Sequence, residues 1–256
     1  MTFLFDSIVF GPVKSRRLGV SLGINLLPAD SKICSFDCIY CECGWTNAMV
    51  SGSLPTREQV RQALDKKLSE MLYRGNSLDV ITFAGNGEPT LHPDFASIID
   101  DTMELRGKYF PGARIAVLSN ATMIHQPQVI TALKLVDQNI LKLDSAFDST
   151  VNLLNQPLMK FDVRNLVERL MAFDGKLIIQ TLFVRGKING QTIDNTTPTE
   201  VDAWLLLIEK IKPQEVMIYT VARDTPASEL IKISFGELNK IADKVRELGI
   251  PVQVSS

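Results

Sequence analysis

The stretch Ile33-Cys34-Ser35-Phe36-Asp37-Cys38-Ile39-Tyr40-Cys41 packs three of the chain's four cysteines into eight residues, and Cys43 is the only other. Thiolates with three and then two residues between them can wrap one compact centre. Three soft ligands suit an iron–sulfur cluster that leaves one iron open to a ligand not supplied by protein. Two other readings compete. Disulfides are disfavoured because no apolar segment follows a basic N-terminus, and cytosolic thiols stay reduced. A structural zinc site with Cys43 as fourth ligand is the stronger competitor. Zinc ribbons and fingers, however, set two ligand pairs on separate turns with a sizeable insert, and four thiols within ten residues follow that pattern poorly.

The surrounding 256 residues, 45% of them apolar, suffice for a substantial core and are most simply one domain spanning 1–256. A net charge of −2, with both signs interspersed, points away from nucleic acid as a partner. The longest apolar runs, such as 201–208 broken by Asp202, are too short to span a bilayer, so no membrane partner and a cytoplasmic location are expected.

Strand-like and helix-like segments alternate along the chain. Short runs rich in Val, Ile, Leu or Phe at 21–26, 79–83, 114–118, 139–143, 176–183 and 215–220 read as parallel strands buried on both faces. Thr56 with Gln59, Thr197 with Pro198 and Glu200, and Ser234 with Glu237 read as capping boxes opening helices. Apolar residues then recur at helical spacing, as in Val60, Leu64, Leu68, Met71 and Leu72. Six such units can form a doubly wound sheet or a barrel. The second motif, Gly85-Asn86-Gly87-Glu88-Pro89, follows the second strand. Its glycines let backbone approach a ligand closely, its proline fixes the exit from the turn, and Glu88 could accept from an ammonium group. Taken alone it is an ordinary βα loop.

Cys-x-x-x-Cys-x-x-Cys with Phe36 and Tyr40 interleaved, followed past a strand by Asn86-Gly87-Glu88-Pro89, resembles the radical S-adenosylmethionine (SAM) superfamily. The resemblance implies an α/β fold, a partial (β/α)6 TIM-type barrel open on one side, with its chemistry at the C-terminal ends of the strands. It implies a 4Fe-4S cluster on Cys34, Cys38 and Cys41, and SAM chelated to the fourth iron and cleaved reductively to methionine and a hydrogen-abstracting 5'-deoxyadenosyl radical. An electron donor such as flavodoxin or ferredoxin is implied with it. The family motif has glycine where Asn86 stands, and Asn tolerates left-handed backbone better than most residues. The segment 10–28 is similar to the N-terminal stretch of the Fe–S oxidoreductase branch whose best-known members form the wyosine base of transfer RNA. No cysteine precedes Cys34 and the charge is slightly negative, so wyosine formation itself is not expected.

By the same resemblance, Gly85, Asn86, Gly87, Glu88, Pro89, Tyr40, Ser119, Asn120 and Asp144 are candidate cofactor-binding residues. Ser119 and Asn120 read equally as caps of the following turn. Lys142, Asp144 and Arg223 are the candidate catalytic residues. Alternation sets Lys142 and Asp144 on one side, facing the barrel mouth or forming a buried ion pair that braces the barrel. Gln180, Thr181, Arg185, Tyr219 and Asp224 lie at or near later strand ends, and the substrate cavity is expected there, lined from the fourth to sixth strands. Arg16 and Arg17 could grip an anionic group of substrate or cofactor, or form a solvated basic turn. His92 and His125, near helix starts, read as structural. The expected activity is one-cluster radical chemistry on a small molecule. A glycyl-radical-enzyme-activating enzyme and a non-catalytic zinc-binding module are the alternatives.

Overall fold

The computed structural model describes residues 3–15, 17–46 and 52–256; Arg16 lies outside them. Strands β1 (Val9–Ser15), β2 (Gly19–Ile24), β3 (Val80–Phe83), β4 (Arg114–Ser119), β5 (Gln138–Lys142) and β6 (Ile178–Leu182) pair in chain order. β7 (Val184–Ile188) and β8 (Gln191–Asp194) leave for a second sheet, and β9 (Glu215–Tyr219) returns beside β6. β10 (Leu230–Lys232) joins β7 and β8, and β11 (Val252–Ser255) completes the main sheet beside β9. In the main sheet β1 is antiparallel to β2, whereas β2, β3, β4, β5, β6, β9 and β11 run parallel; β7, β8 and β10 pair antiparallel in the second sheet. The six strands expected from the sequence are all present. β11 makes a seventh parallel strand, and it escapes a hydrophobic-run reading because its four residues at the sheet margin are all half-buried.

Helices α1 (Arg57–Tyr73), α2 (Phe95–Tyr109), α3 (Pro127–Leu135), α4 (Asp148–Leu154), α5 (Val163–Met171), α6 (Pro198–Ile211) and α7 (Phe235–Glu247) form the connections. The strand period of two divides the sheet's side chains between two cores. Ile81, Phe83, Ile115, Val117, Leu141, Ile179, Val216 and Ile218 join the helices in the main core. Val80, Ala116, Ile140, Ile178 and Met217 point the other way and, with Leu18, form a small apolar floor inside the curl. The sheet is thus a half-barrel, its interior closed by this floor at the N-terminal strand ends and available at the C-terminal ends. The same alternation puts Lys142, Gln180 and Tyr219 two residues above Ile140, Ile178 and Met217, on the interior face.

Thr56 and Ser234 form complete capping boxes with Gln59 and Glu237. Thr197 caps α6 by accepting from Glu200 N–H, but the expected reciprocal bond is replaced. The Glu200 carboxylate instead accepts from the Ser145 and Thr150 hydroxyls, 2.7 Å from the former, tying α6 to the loop after β5.

Candidate functional site

The cysteine loop leaves β2 and is stitched across the barrel mouth to the Gly85–Pro89 turn. Ile33 N–H donates to Asn86 O at 2.9 Å and Ile33 O accepts from Glu88 N–H at 3.0 Å. Gly87, at φ 134°, is required there, since a Cβ would sit 1.8 Å from Ile33 O. Left-handed tolerance is not what Asn86 supplies, because Gly85 and Gly87 carry the positive φ angles and Asn86 does not. Its fully buried carboxamide instead accepts from Phe5 N–H at 2.8 Å and donates to Phe5 O and Pro28 O at 2.8 and 2.7 Å. Glycine at this position would abandon those anchors.

Glu88 is buried, and its carboxylate is committed to its own surroundings. One oxygen accepts from Thr90 N–H, the Thr90 hydroxyl and, at 2.8 Å, the Ser119 hydroxyl; the other accepts from Asn120 N–H at 2.6 Å. Burial pushes its pKa up while these bonds oppose the shift. The direct ammonium contact expected from sequence therefore competes with four intramolecular donors. Ser119 Oγ and Asn120 Oδ1 also accept from Ala121 and Thr122 N–H, the capping role expected as the alternative. Asn120 Nδ2 faces the loop, 2.9 Å from Ser35 Oγ and 3.5 Å from Cys34 Sγ.

Tyr40, Lys142 and Asp144 form one buried cluster. Lys142 Nζ is 2.8 Å from the Tyr40 hydroxyl and 3.4 Å from Asp144 Oδ2, and Tyr40 donates a short bond to that oxygen. Leu182 N–H donates to the second Asp144 oxygen at 2.9 Å. Burial lowers the Lys142 pKa, but the Asp144 charge and hydrogen bond, together with Tyr219 and Cys38, outweigh it and hold the ammonium charged. Burial, then the Asp144 charge, raises Tyr40 and keeps it a phenol. Asn155, which sequence reading passes over, donates to Asp144 at 2.7 Å, to Tyr40 at 2.8 Å and toward Cys38 Sγ at 3.5 Å. Lys32 is also missed, a lysine without a motif. Its ammonium is nearly inaccessible and donates to Asp37 at 3.0 Å and to Gly44 O at 2.8 Å.

A cavity of about 240 Å³ opens beside Tyr40 and Cys41, walled by Leu182, Tyr219, Thr220 and Ser255. It draws on the fifth and sixth expected strands and on β11, not on the fourth, whose Lys142 and Asp144 are packed beneath Tyr40. Arg17 reaches into it, and Arg223 stands at its rim, largely exposed and paired with Glu42 at 2.6 Å. Other candidates lie elsewhere. Thr181 donates to Leu143 O at 2.7 Å, Arg185 pairs with Glu237 at 2.7 Å, and buried His92 is 2.8 Å from Pro55 O.

Residues 30–197 match the radical SAM superfamily. The chain belongs to that superfamily. It is 32% identical over 226 residues to the UPF0026 protein slr1464 of Synechocystis, covering 85% of this chain and 77% of that one. It is also 30% identical over 250 residues to the GTPase Obg of Brachyspira hyodysenteriae, covering 96% of this chain but only 34% of that protein. Streptococcus suis SuiB bound to S-adenosylmethionine shares the fold, with a TM-score of 0.64 at 14% identity over 91% of this chain and 50% of that one.

Radical SAM proteins carry a 4Fe-4S cluster and SAM, and the donor chemistry here fits them. Cys34, Cys38, Cys41 and Cys43 are free thiols. Amide donors Asn120 and Asn155 face two of the sulfurs, as outer partners of metal thiolates do. The hydrogen bond from Cys43, then the Lys32 charge, pulls Cys41 down to about 6 against burial, whereas burial pushes Cys34 up to about 12. Among the described residues no three His, Cys, Asp or Glu side chains converge on a single-ion site.

No helix among the described residues is long and apolar enough to cross a membrane.

Proposed function

We propose that residues 1–256 act as one radical SAM domain that cleaves SAM reductively at a single cluster and abstracts hydrogen from a small-molecule substrate. The observation that supports this most is the cysteine loop stitched at Ile33 to the Gly85–Pro89 turn, over the C-terminal mouth of a parallel half-barrel. Cys34, Cys38 and Cys41 would hold the cluster. Gly85, Asn86, Gly87, Glu88 and Pro89, with Tyr40, Ser119, Asn120 and Asp144, would hold SAM. When bound, these groups supply electron transfer into the sulfonium and hydrogen abstraction.

The chain's own residues supply geometry. The Glu88 carboxylate fixes the turn to the end of β4, so cofactor atoms would meet backbone in a set position. Lys142 and Asp144 lock Tyr40 in place beneath Cys41 and keep a charged ammonium in the interior. Arg223 at the cavity rim is positioned to meet substrate on entry. A small reductant protein such as flavodoxin or ferredoxin would supply the electron.

The test is anaerobic reconstitution followed by dithionite and SAM. Formation of 5'-deoxyadenosine and methionine is expected, with none from the variant lacking Cys34, Cys38 and Cys41. A protein that purifies with zinc and no sulfide and makes no 5'-deoxyadenosine sinks the reading in favour of a zinc-binding module.

A further inference from the structure

Arg17 is a half-buried cation with no ion-pair partner among the described residues. It sits in the short turn between β1 and β2, and its backbone carbonyl accepts from Gln253 Nε2 at 3.2 Å, which carries the turn across the open side of the half-barrel to β11. Its guanidinium lies over the Tyr219 ring at 4.7 Å and lines the cavity beside Tyr40 and Cys41. Its only side-chain hydrogen bond among the described residues is a long one, 3.5 Å, to Gln180 Oε1. No described carboxylate lies within ion-pair distance of it, and the nearest acid of the cavity wall, Glu42, is engaged by Arg223 at the rim.

A guanidinium carried over a ring, with one long hydrogen bond, keeps most of its N–H donors available, and their fork matches two oxygens of one anion. Cation–π contact with Tyr219 orients the plane without neutralising its charge. The polar wall around it, Thr220 and Ser255, offers further donors. Glu88 and Asn120 follow β3 and β4, separated from β9 in the sheet by β5 and β6, so the guanidinium, carried from the β1–β2 turn onto Tyr219 of β9, is directed away from the strand ends proposed for the methionyl group.

We infer that Arg17 is the specificity residue of the substrate cavity and that the substrate is a small oxyanion, a carboxylate or a phosphate ester, held by its charged group over Tyr219. This rests on the radical SAM reading of the site. The test titrates inorganic phosphate and acetate into the reconstituted protein, with and without SAM, by calorimetry. Wild type is expected to bind at least one of the two anions in both conditions, phosphate alone marking a phosphate ester and acetate a carboxylate. Arg17→Gln should weaken that anion about tenfold or more, and Arg17→Lys, which keeps charge but loses the fork, should recover part of it. Thermal melts of both variants establish that they fold. Equal anion affinity in wild type and Arg17→Gln overturns the inference. Anion binding abolished by SAM also overturns it, because the group on Arg17 is then the cofactor's own carboxylate. Failure of wild type to cleave SAM would instead strike the functional reading while leaving the anion titration interpretable.

Discussion

At the residue scale, two loops far apart in sequence depend on single atoms. Gly87→Ala would drive a Cβ to 1.8 Å from Ile33 O, so the bridge between the cysteine loop and the Gly85–Pro89 turn must open. We expect a loss of roughly 3 kcal/mol in urea denaturation and reduced iron on reconstitution; unchanged stability would show that the stitch is dispensable. The depressed Cys41 pKa gives a second expectation. In apoprotein the thiolate persists above the folded pKa of about 6, so iodoacetamide labelling of Cys41 should rise through that pH. An ordinary thiol titrates near about 8.5. Cys43→Ala removes the hydrogen bond that favours the thiolate and should move the midpoint upward; an unmoved midpoint would assign the effect to Lys32. Cysteines and glycines were legible in sequence because their spacing is local. Lys32, Asn155 and the anchoring role of Asn86 were not, because each acts through a partner in another loop.

At the element scale, alternation of buried runs with amphipathic helices was sufficient to find six strands, since parallel strands covered on both faces are apolar throughout. It misses β1, β11 and the sheet of β7, β8 and β10, whose residues are partly exposed and carry no such run. Capping was legible at Thr56 and Ser234 but only half so at Thr197, where Glu200 found hydroxyls on the β5 loop instead of the cap. That loop is held from the other side by Trp204 of α6, whose indole donates to Leu143 O at 3.1 Å and packs edge-on to Phe183 at 5.4 Å. Trp204→Ala should therefore cost about 3–5 kcal/mol by denaturant melt. Because Leu143 adjoins Asp144, near-ultraviolet circular dichroism should also report loosening around Tyr40. A loss under 1 kcal/mol, estimated on the same scale as about what a surface change gives, would mean that the helix is not a support of the site.

At the scale of the whole molecule, the parallel half-barrel brings the ends of β3, β4, β5, β6 and β9 to one mouth, and the cysteine loop closes over it on a core of its own. Phe36, Ile39 and Tyr40 pack there against Leu154 of α4, Leu182 at the end of β6 and Val184 of β7. Folding of the later strands is thus a condition for gathering the early thiols. Cys43 differs from the other three in what it touches. Its single S–H has two acceptors within reach, Gly85 O at 3.3 Å and the Cys41 sulfur, so it fastens the loop's exit to its surroundings, and the Cys41 hydrogen bond, then burial, keeps it protonated. Burial raises Cys34 and Cys38 as well, so metal binding must release a proton from each ligand thiol, and three thiolates would leave one iron for SAM. We therefore expect about four irons and four sulfides per reconstituted chain. Cys34→Ala, Cys38→Ala or Cys41→Ala should abolish them, and Cys43→Ala should retain them with a less stable loop. Iron and acid-labile sulfide assays with electron paramagnetic resonance of the reduced protein read both quantities. Loss of the cluster in Cys43→Ala alongside its retention in Cys34→Ala would reverse the ligand assignment.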